Sequence, residues 1–271
     1  MKKYFLLLAL LLLFAGSSYS QTWQTQFINT GATTIYDLAS NSSPQWIAQD
    51  SAYPYNIHVV MMYVPLNDPS TFPSRRTKYY FSSNLGLAWE YIGNANERKS
   101  GFPSIMVASD GAAVICNYGS TSGNTSTRTL IYQDVLAGLG AFILHDPPNN
   151  PYFFGKFCLT SDINLPTKFL IMGQGMTSDS TVRITGPIPW SSWSSFANTS
   201  PEAYCAARGA DGRIGIVYIQ NNFSVDDYKR VYFTETTNNG VSFSTPMNIY
   251  LAHFSSDSLA EFRGLNIAYR E

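Results

Sequence analysis

Short apolar runs separated by turn residues recur along the chain, and four of them open as the same kind of hairpin. Residues 45–48 lead through Tyr53-Pro54-Tyr55-Asn56 into 57–63, and 103–108 turn at Asp110-Gly111 into 113–118. Residues 157–160 turn around 164–166 into 168–172, and 203–206 turn at Asp211-Gly212 into 214–218. Asp-Gly between two apolar runs is a strong hairpin signal, because both residues tolerate the left-handed backbone a tight turn needs. Each hairpin is followed by a third strand, at 77–81, 127–133, 180–185 and 229–234, and by a fourth, at 89–92, 141–144, 190–196 and 241–249. Four strands repeating at about 50 residues predict an all-β chain, a β-propeller of four-stranded antiparallel blades.

The two ends extend this pattern. Strand-like pieces at 23–28 and 33–38 precede the first unit, and one at 264–269 follows the fourth. Joining 22–40 with 262–271 into a composite fifth blade would remove the open sheet edge. A truncated six-bladed propeller is the alternative, and alternating strands alone leave an immunoglobulin-like sandwich open as well.

Two third-to-fourth strand turns carry one pattern. Ser82-Ser83-Asn84-Leu85-Gly86-Leu87-Ala88-Trp89 reads as S-x-N-x-G-x-x-W, and Thr236-Thr237-Asn238-Asn239-Gly240-Val241-Ser242-Phe243 repeats its spacing three units later. The amide can bond backbone N–H groups two residues on, the glycine takes positive φ, and the aromatic buries its ring. These octapeptides resemble the Asp-box (BNR) hairpins of sialidase-like β-propellers, with Asn84 and Asn238 where that family usually has Asp. The resemblance implies that Ser82, Asn84, Gly86, Trp89, Thr236, Asn238, Gly240 and Phe243 hold the fold and touch no substrate.

The first residues change the picture of where the protein works. Lys2 and Lys3, an apolar run over 5–14 and small residues at Ser18 and Ser20 predict a secretory signal over 1–20, cleaved before Gln21. No cysteine follows the run, so a lipoprotein anchor is not indicated, and no later segment has the roughly 18 apolar residues of a membrane span. Residues 21–271 show no linker and are expected to form one secreted domain. A net charge of −1 gives no electrostatic case for nucleic acid or an anionic membrane, either of which would need a clustered excess of Lys and Arg.

An active sialidase of the resembled family binds its substrate's carboxylate with three arginines and uses a Tyr nucleophile, a Glu that polarises it and an Asp acid/base. The early Phe-Arg-Ile-Pro motif holding that family's first arginine is absent here. Arg98, Arg208, Arg263 and Arg270 lie near predicted first strands, and Glu202 and Tyr204, at i and i+2, share one strand face. They are the candidate ligand-binding and catalytic residues. His58, His145 and His253 lack ligand spacing and Asp226-Asp227 lacks a calcium-loop pattern, so no metal and no cofactor is expected. Trp190 and Trp193 could stack on sugars or pack in a fourth strand. Cys116, Cys158 and Cys205 read as buried thiols; if two pair, Cys158 and Cys205 hold equivalent places in successive units.

These observations favour a secreted, non-catalytic module that recognises a glycan or an extracellular protein. A glycoside hydrolase of exo-sialidase type with a divergent site, and an architectural cell-surface module, are the alternatives. Convergence of Arg98, Arg208 and Arg263 beside Tyr204 and Glu202 would favour the hydrolase.

Overall fold

The computed structural model describes residues 45–123, 127–159, 168–175, 180–186, 189–209, 211–220, 230–251 and 267–268, which contain strands and turns and no helix. Strands β1 (Ile47–Gln49), β2 (Ile57–Tyr63), β3 (Arg76–Ser82) and β4 (Glu90–Asn94) form an antiparallel sheet in chain order. β5 (Ser100–Val107), β6 (Ala113–Gly119), β7 (Arg128–Asp134) and β8 (Phe142–His145) form a second. β9 (Phe153–Leu159), β10 (Phe169–Gln174), β11 (Ser180–Gly186), β12 (Ser194–Arg208), β13 (Ile214–Gln220), β14 (Arg230–Thr236) and β15 (Met247–Leu251) complete the described strands. These seven join in a single sheet.

The seven-stranded sheet is two units fused through β12. Ser194 to Asn198 pair with β11, whereas Thr199 and Tyr204 to Arg208 pair with β13. The sequence pattern suggested two strands here, at 190–196 and 203–206. They fall within one strand assignment, and β12 changes partner across 199–204, where Pro201, which cannot donate to a ladder, lies in the register gap. The fourth strand of the last unit is also shorter than expected, beginning at Met247 instead of 241.

The first strands of the units stand beside one another in chain order, β1 with β5, β5 with β9 and β9 with β12. Between neighbouring units lies an apolar layer drawn from both. Val60 and Tyr79 meet Ile105, Ile115 and Leu130; Val114, Cys116 and Ile131 meet Phe157, Phe169 and Ile184; Leu170 and Met172 meet Tyr204, Ile214 and Tyr218. Along β6, Val114, Ile115 and Cys116 therefore face alternate layers, all fully buried. A sheet covered on both faces has no polar side, which is why its middle strands read as unbroken apolar runs.

Cys116 and Cys205 are buried free thiols, so Cys205 forms no bond with Cys158. Burial pushes both thiols up to about 12. The predicted signal segment over 1–20 and almost all of the expected composite blade lie outside the described residues. From the latter, Ile267 packs against Ala203, Cys205, Val217, Ile219 and Val231. No helix among the described residues is long and apolar enough to cross a membrane.

Candidate functional site

Antiparallel pairing gives every unit two ends. The turns from first to second and from third to fourth strand lie at one, the hairpin end; the starts of the first strands lie at the other, the start end. Both octapeptide turns sit at the hairpin end and make the same hydrogen bonds. Ser82 Oγ donates to Asn84 Oδ1 (2.9 Å) and accepts from Gly86 N (2.9 Å), while Asn84 Oδ1 also accepts from Ala88 N (2.9 Å). Thr236 Oγ1 donates to Asn238 Oδ1 (2.9 Å) and accepts from Gly240 N (3.0 Å), and Asn238 Oδ1 accepts from Ser242 N (2.9 Å). Gly86 and Gly240 have φ of 80° and 86°, values that favour glycine. Trp89 lies along Gly86, while Phe243 lies under the Arg183 guanidinium, 4.7 Å from its ring centroid. In the second unit the same corner is built differently: buried Asp134 accepts from Gly140 N (2.9 Å) and Ala141 N (3.0 Å). No spacing motif marks that turn.

Among the described residues, Arg98, Arg208 and Tyr204 do not gather. Tyr204 is fully buried in the layer with Leu170, Met172 and Ile216. Glu202 lies in β12, in the register gap between Thr199 and Tyr204, and its side chain is not among those described. Arg98 is at the start end, where its guanidinium donates to Thr121 O and its N–H to Asn96 Oδ1 (2.9 Å). Arg208 is at the hairpin end, beside Ala108 and Ser109 at the finish of β5. The eight residues of β5 separate the two ends, about 25 Å of strand. Arg263, Arg270, His253 and Asp226-Asp227 lie outside the described residues.

The start end holds a group the sequence did not single out. Arg75 is buried; its Nε donates to Ser100 O (3.1 Å), and its guanidinium carbon stands 5.0 Å and 5.5 Å from the ring centroids of Phe102 and Tyr118. Tyr118 in turn meets Phe153 at 5.4 Å. Gly101 makes room for the guanidinium: a Cβ there would lie 2.8 Å from Arg75 Nε. Phe102 follows at φ 49°, inside the bulge between Gly101 and Ser104, an uncommon backbone for a bulky residue that depends on its surroundings. Lys99 donates to Thr71 O (2.5 Å), and its ammonium is held below the ordinary lysine range, first by burial and then by the Arg75 charge. Arg128, at the same end, is occupied by Asp146. Tyr152 and Trp193, 4.5 Å apart, add a second half-buried aromatic pair, fixed by Trp193 Nε1 donating to Pro148 O (2.8 Å). Trp190 covers Gly186; both tryptophans precede β12 instead of lying in it.

At the hairpin end, the finishes of β1, β5 and β12 surround a cleft of about 660 Å³. Behind its wall His58 is fully buried, with Nδ1 2.8 Å from Tyr79 Oη. Burial holds the imidazole down at about 4, against a smaller raising effect of Asp50. His145 is half-buried, 3.2 Å from Gln133 Oε1. Among the described residues no cluster of His, Cys, Asp and Glu could hold a metal ion.

No family model matches the chain, and no curated protein matches it. Among solved structures it is similar to the Hadza microbial sialidase Hz136, with 11% identity and a TM-score of 0.50 over 76% of this chain and 45% of that one. The chain thus spans under half of that structure, and the likeness is one of fold. A protein of unknown function from Dyadobacter fermentans DSM 18053 (TM-score 0.49, 11% identity, 74% of this chain and 67% of that one) is also similar. So is the α-L-arabinofuranosidase from Lactobacillus brevis (TM-score 0.43, 9% identity, 75% and 73%).

Proposed function

We propose that the protein is an exported, sialidase-like β-propeller that recognises a glycan at the start end of its first strands and does not hydrolyse it. The observation that carries this reading is the half-buried aromatic row Phe102, Tyr118 and Phe153, backed by Arg75 and flanked by Lys99 and Arg98. An aromatic face suits the C–H face of a sugar ring, and the cations beside it suit hydroxyl and carboxylate oxygens. The octapeptide turns fit the Asp-box role of holding blades, and the row of first strands fits a propeller's inner wall. The signal segment supports export.

Two placements weigh against hydrolysis. A buried Tyr204 offers no nucleophile to a sugar, and Arg98 and Arg208 stand at opposite ends, so they cannot share one carboxylate. Fold alone supplies no activity.

The test is a glycan array probed with the purified protein and with Phe102→Ala, run beside hydrolysis of a fluorogenic sialoside. Retention of a glycan by the wild-type protein, reduced about tenfold or more in Phe102→Ala, with no turnover by either, is the expected result. Turnover of the sialoside by the wild-type protein would replace this reading with the hydrolase.

A further inference from the structure

At the hairpin end, the turns of the first two units leave large apolar side chains in water. Tyr53 and Tyr55 stand between β1 and β2, Leu85 and Leu87 between β3 and β4, and Leu136 and Leu139 between β7 and β8; each exposes more than half of its surface. Apolar residues scattered singly over a surface need no account, whereas a cluster marks a place where something binds. These three turns are joined. Leu85 N donates to Tyr55 O (2.9 Å), and the turn over 135–140 lies so close to the first unit that a Cβ at Gly138 would overlap the Phe81 ring and one at Gly140 the Ile92 side chain. The cluster is a strand's length from the aromatic row and plays no part in the function proposed above.

Leu85 sets this surface apart from the other octapeptide turn. It has φ 60°, and Asn239, at the same place in the fourth unit's octapeptide, has φ 57°. Asparagine takes this left-handed backbone readily and a bulky apolar residue rarely does. The hydrogen bonds that hold the two turns are the same and come from Ser82 and Asn84 or Thr236 and Asn238, so the fold gains nothing from a leucine between them. Leu85 is disfavoured twice, by its backbone and by its exposure, and strain of this kind gathers at sites of function. Charge supplies a second observation. Residues 45–56, 83–90, 108–112 and 134–141, which build these turns and the Asp110-Gly111 turn beside them, contain no Lys or Arg and four acids. Asp50 and Asp134 are buried, while Glu90 and Asp110 are exposed. Arg208, beside Ser109, comes from the fourth unit.

From these observations we infer that the hairpin end of the first two units is a docking surface for a polypeptide segment that joins apolar side chains to Lys or Arg. The leucines and tyrosines cover the segment's apolar side chains, the tyrosine hydroxyls stay within reach of water, and Glu90 and Asp110 meet its cations. A second copy of this chain would set acid against acid across the same turns, and an anionic lipid surface would be repelled in the same way. The turns are fixed before anything binds: Asn56 N donates to Tyr53 O (2.8 Å), Gln49 Nε2 to Pro54 O (2.7 Å), and Asp50 Oδ1 accepts from Ala52 N (2.8 Å). Such turns lower the ordering cost of association.

Random peptides displayed on phage, selected on the purified protein and counter-selected on the double variant Leu85→Asn and Leu136→Asn, test the surface. The enriched sequences are expected to combine apolar residues with Lys or Arg, and a synthetic peptide of that sequence to bind the parent at least about tenfold more tightly than Leu85→Asn. Glu90→Gln with Asp110→Asn should weaken the peptide and flatten its salt dependence. Leu85→Asn takes the residue of the fourth unit's turn, so its urea midpoint should equal or exceed the parent's, which separates lost binding from lost folding. No enrichment, enrichment of acidic or uncharged sequences, peptide affinity unmoved by Leu85→Asn, or a lower midpoint in that variant would each overturn the assignment. Sedimentation with phosphatidylcholine vesicles, or a dimer that Leu85→Asn dissolves, would give the surface to lipid or to a second copy and overturn it as well. None of these outcomes bears on glycan retention at the start end.

Discussion

The two ends of the first strands use an arginine in opposite ways. At the start end Arg75 is buried, spends its Nε on Ser100 O and supports two aromatic rings. At the hairpin end Arg208 is exposed at the rim of an open cleft. A guanidinium packed on rings acts as a structural plate, whereas one on an exposed rim keeps contact with water. The ends also differ in what they bury: the start end desolvates cations among aromatics, whereas the hairpin end desolvates an imidazole and a carboxylate.

That difference predicts acid sensitivity greatest around His58 at the hairpin end, beside a smaller contribution from half-buried His145, and this is the largest effect expected. His58 titrates at about 4 in the folded protein, against about 6.5 when unfolded. The unfolded chain therefore binds a proton that the folded one does not, so the contribution is fully present above pH 6.5 and is lost as pH falls toward 4. The loss is on the order of 3 kcal/mol. Urea unfolding at pH 7.5 and 4.5 measures it, and His58→Gln should flatten the dependence. Amide exchange should show protection falling first around β1, β2 and the turn at Asp50. Loss at the start end instead would erase the contrast.

Making one substitution at both ends sharpens it further. Arg75→Ala removes a charge-assisted bond and two ring contacts and should cost about 2 kcal/mol in chemical denaturation. Arg208→Ala, at an exposed position, should stay within about 0.5 kcal/mol of the parent. Equal stability losses would mean that Arg208 is structural too.

Effects smaller than that of Arg75→Ala come from the two octapeptide turns. Asn84→Ala and Asn238→Ala each remove the acceptor of two hydrogen bonds and should each cost about 1 kcal/mol in the same assay. Their sum should be additive, because the turns belong to the first and fourth units and share no partner. Non-additivity would show that the hairpin end is coupled from unit to unit.

Much of the fold was legible because local chemistry suffices for it. Alternation, Asp-Gly turns and the S-x-N-x-G-x-x-W spacing located the strands of all four units, since each is decided by contacts within a few residues. The seam at β12 was not legible: whether two strands join depends on which neighbours their ladders find, and Pro201 acquires its meaning only at the register gap. Arg98 and Arg208 were legible as arginines near first strands, but not as residues of opposite ends, because that depends on which side of its strand each one falls. Arg75 and Phe102 carried no signal. An arginine before a third strand becomes a plate only when Gly101 and Tyr118, from other strands, close around it.

By itself, then, the sequence determined the repeating sheets, their turns and the doubly buried middle strands, because period, turn chemistry and hydrophobicity act at short range. The tertiary structure alone decided that Tyr204 is core, that the arginines part company and that a cleft opens at the hairpin end. Those outcomes arise from packing between units, where residues far apart in the chain become neighbours through the order of the first strands.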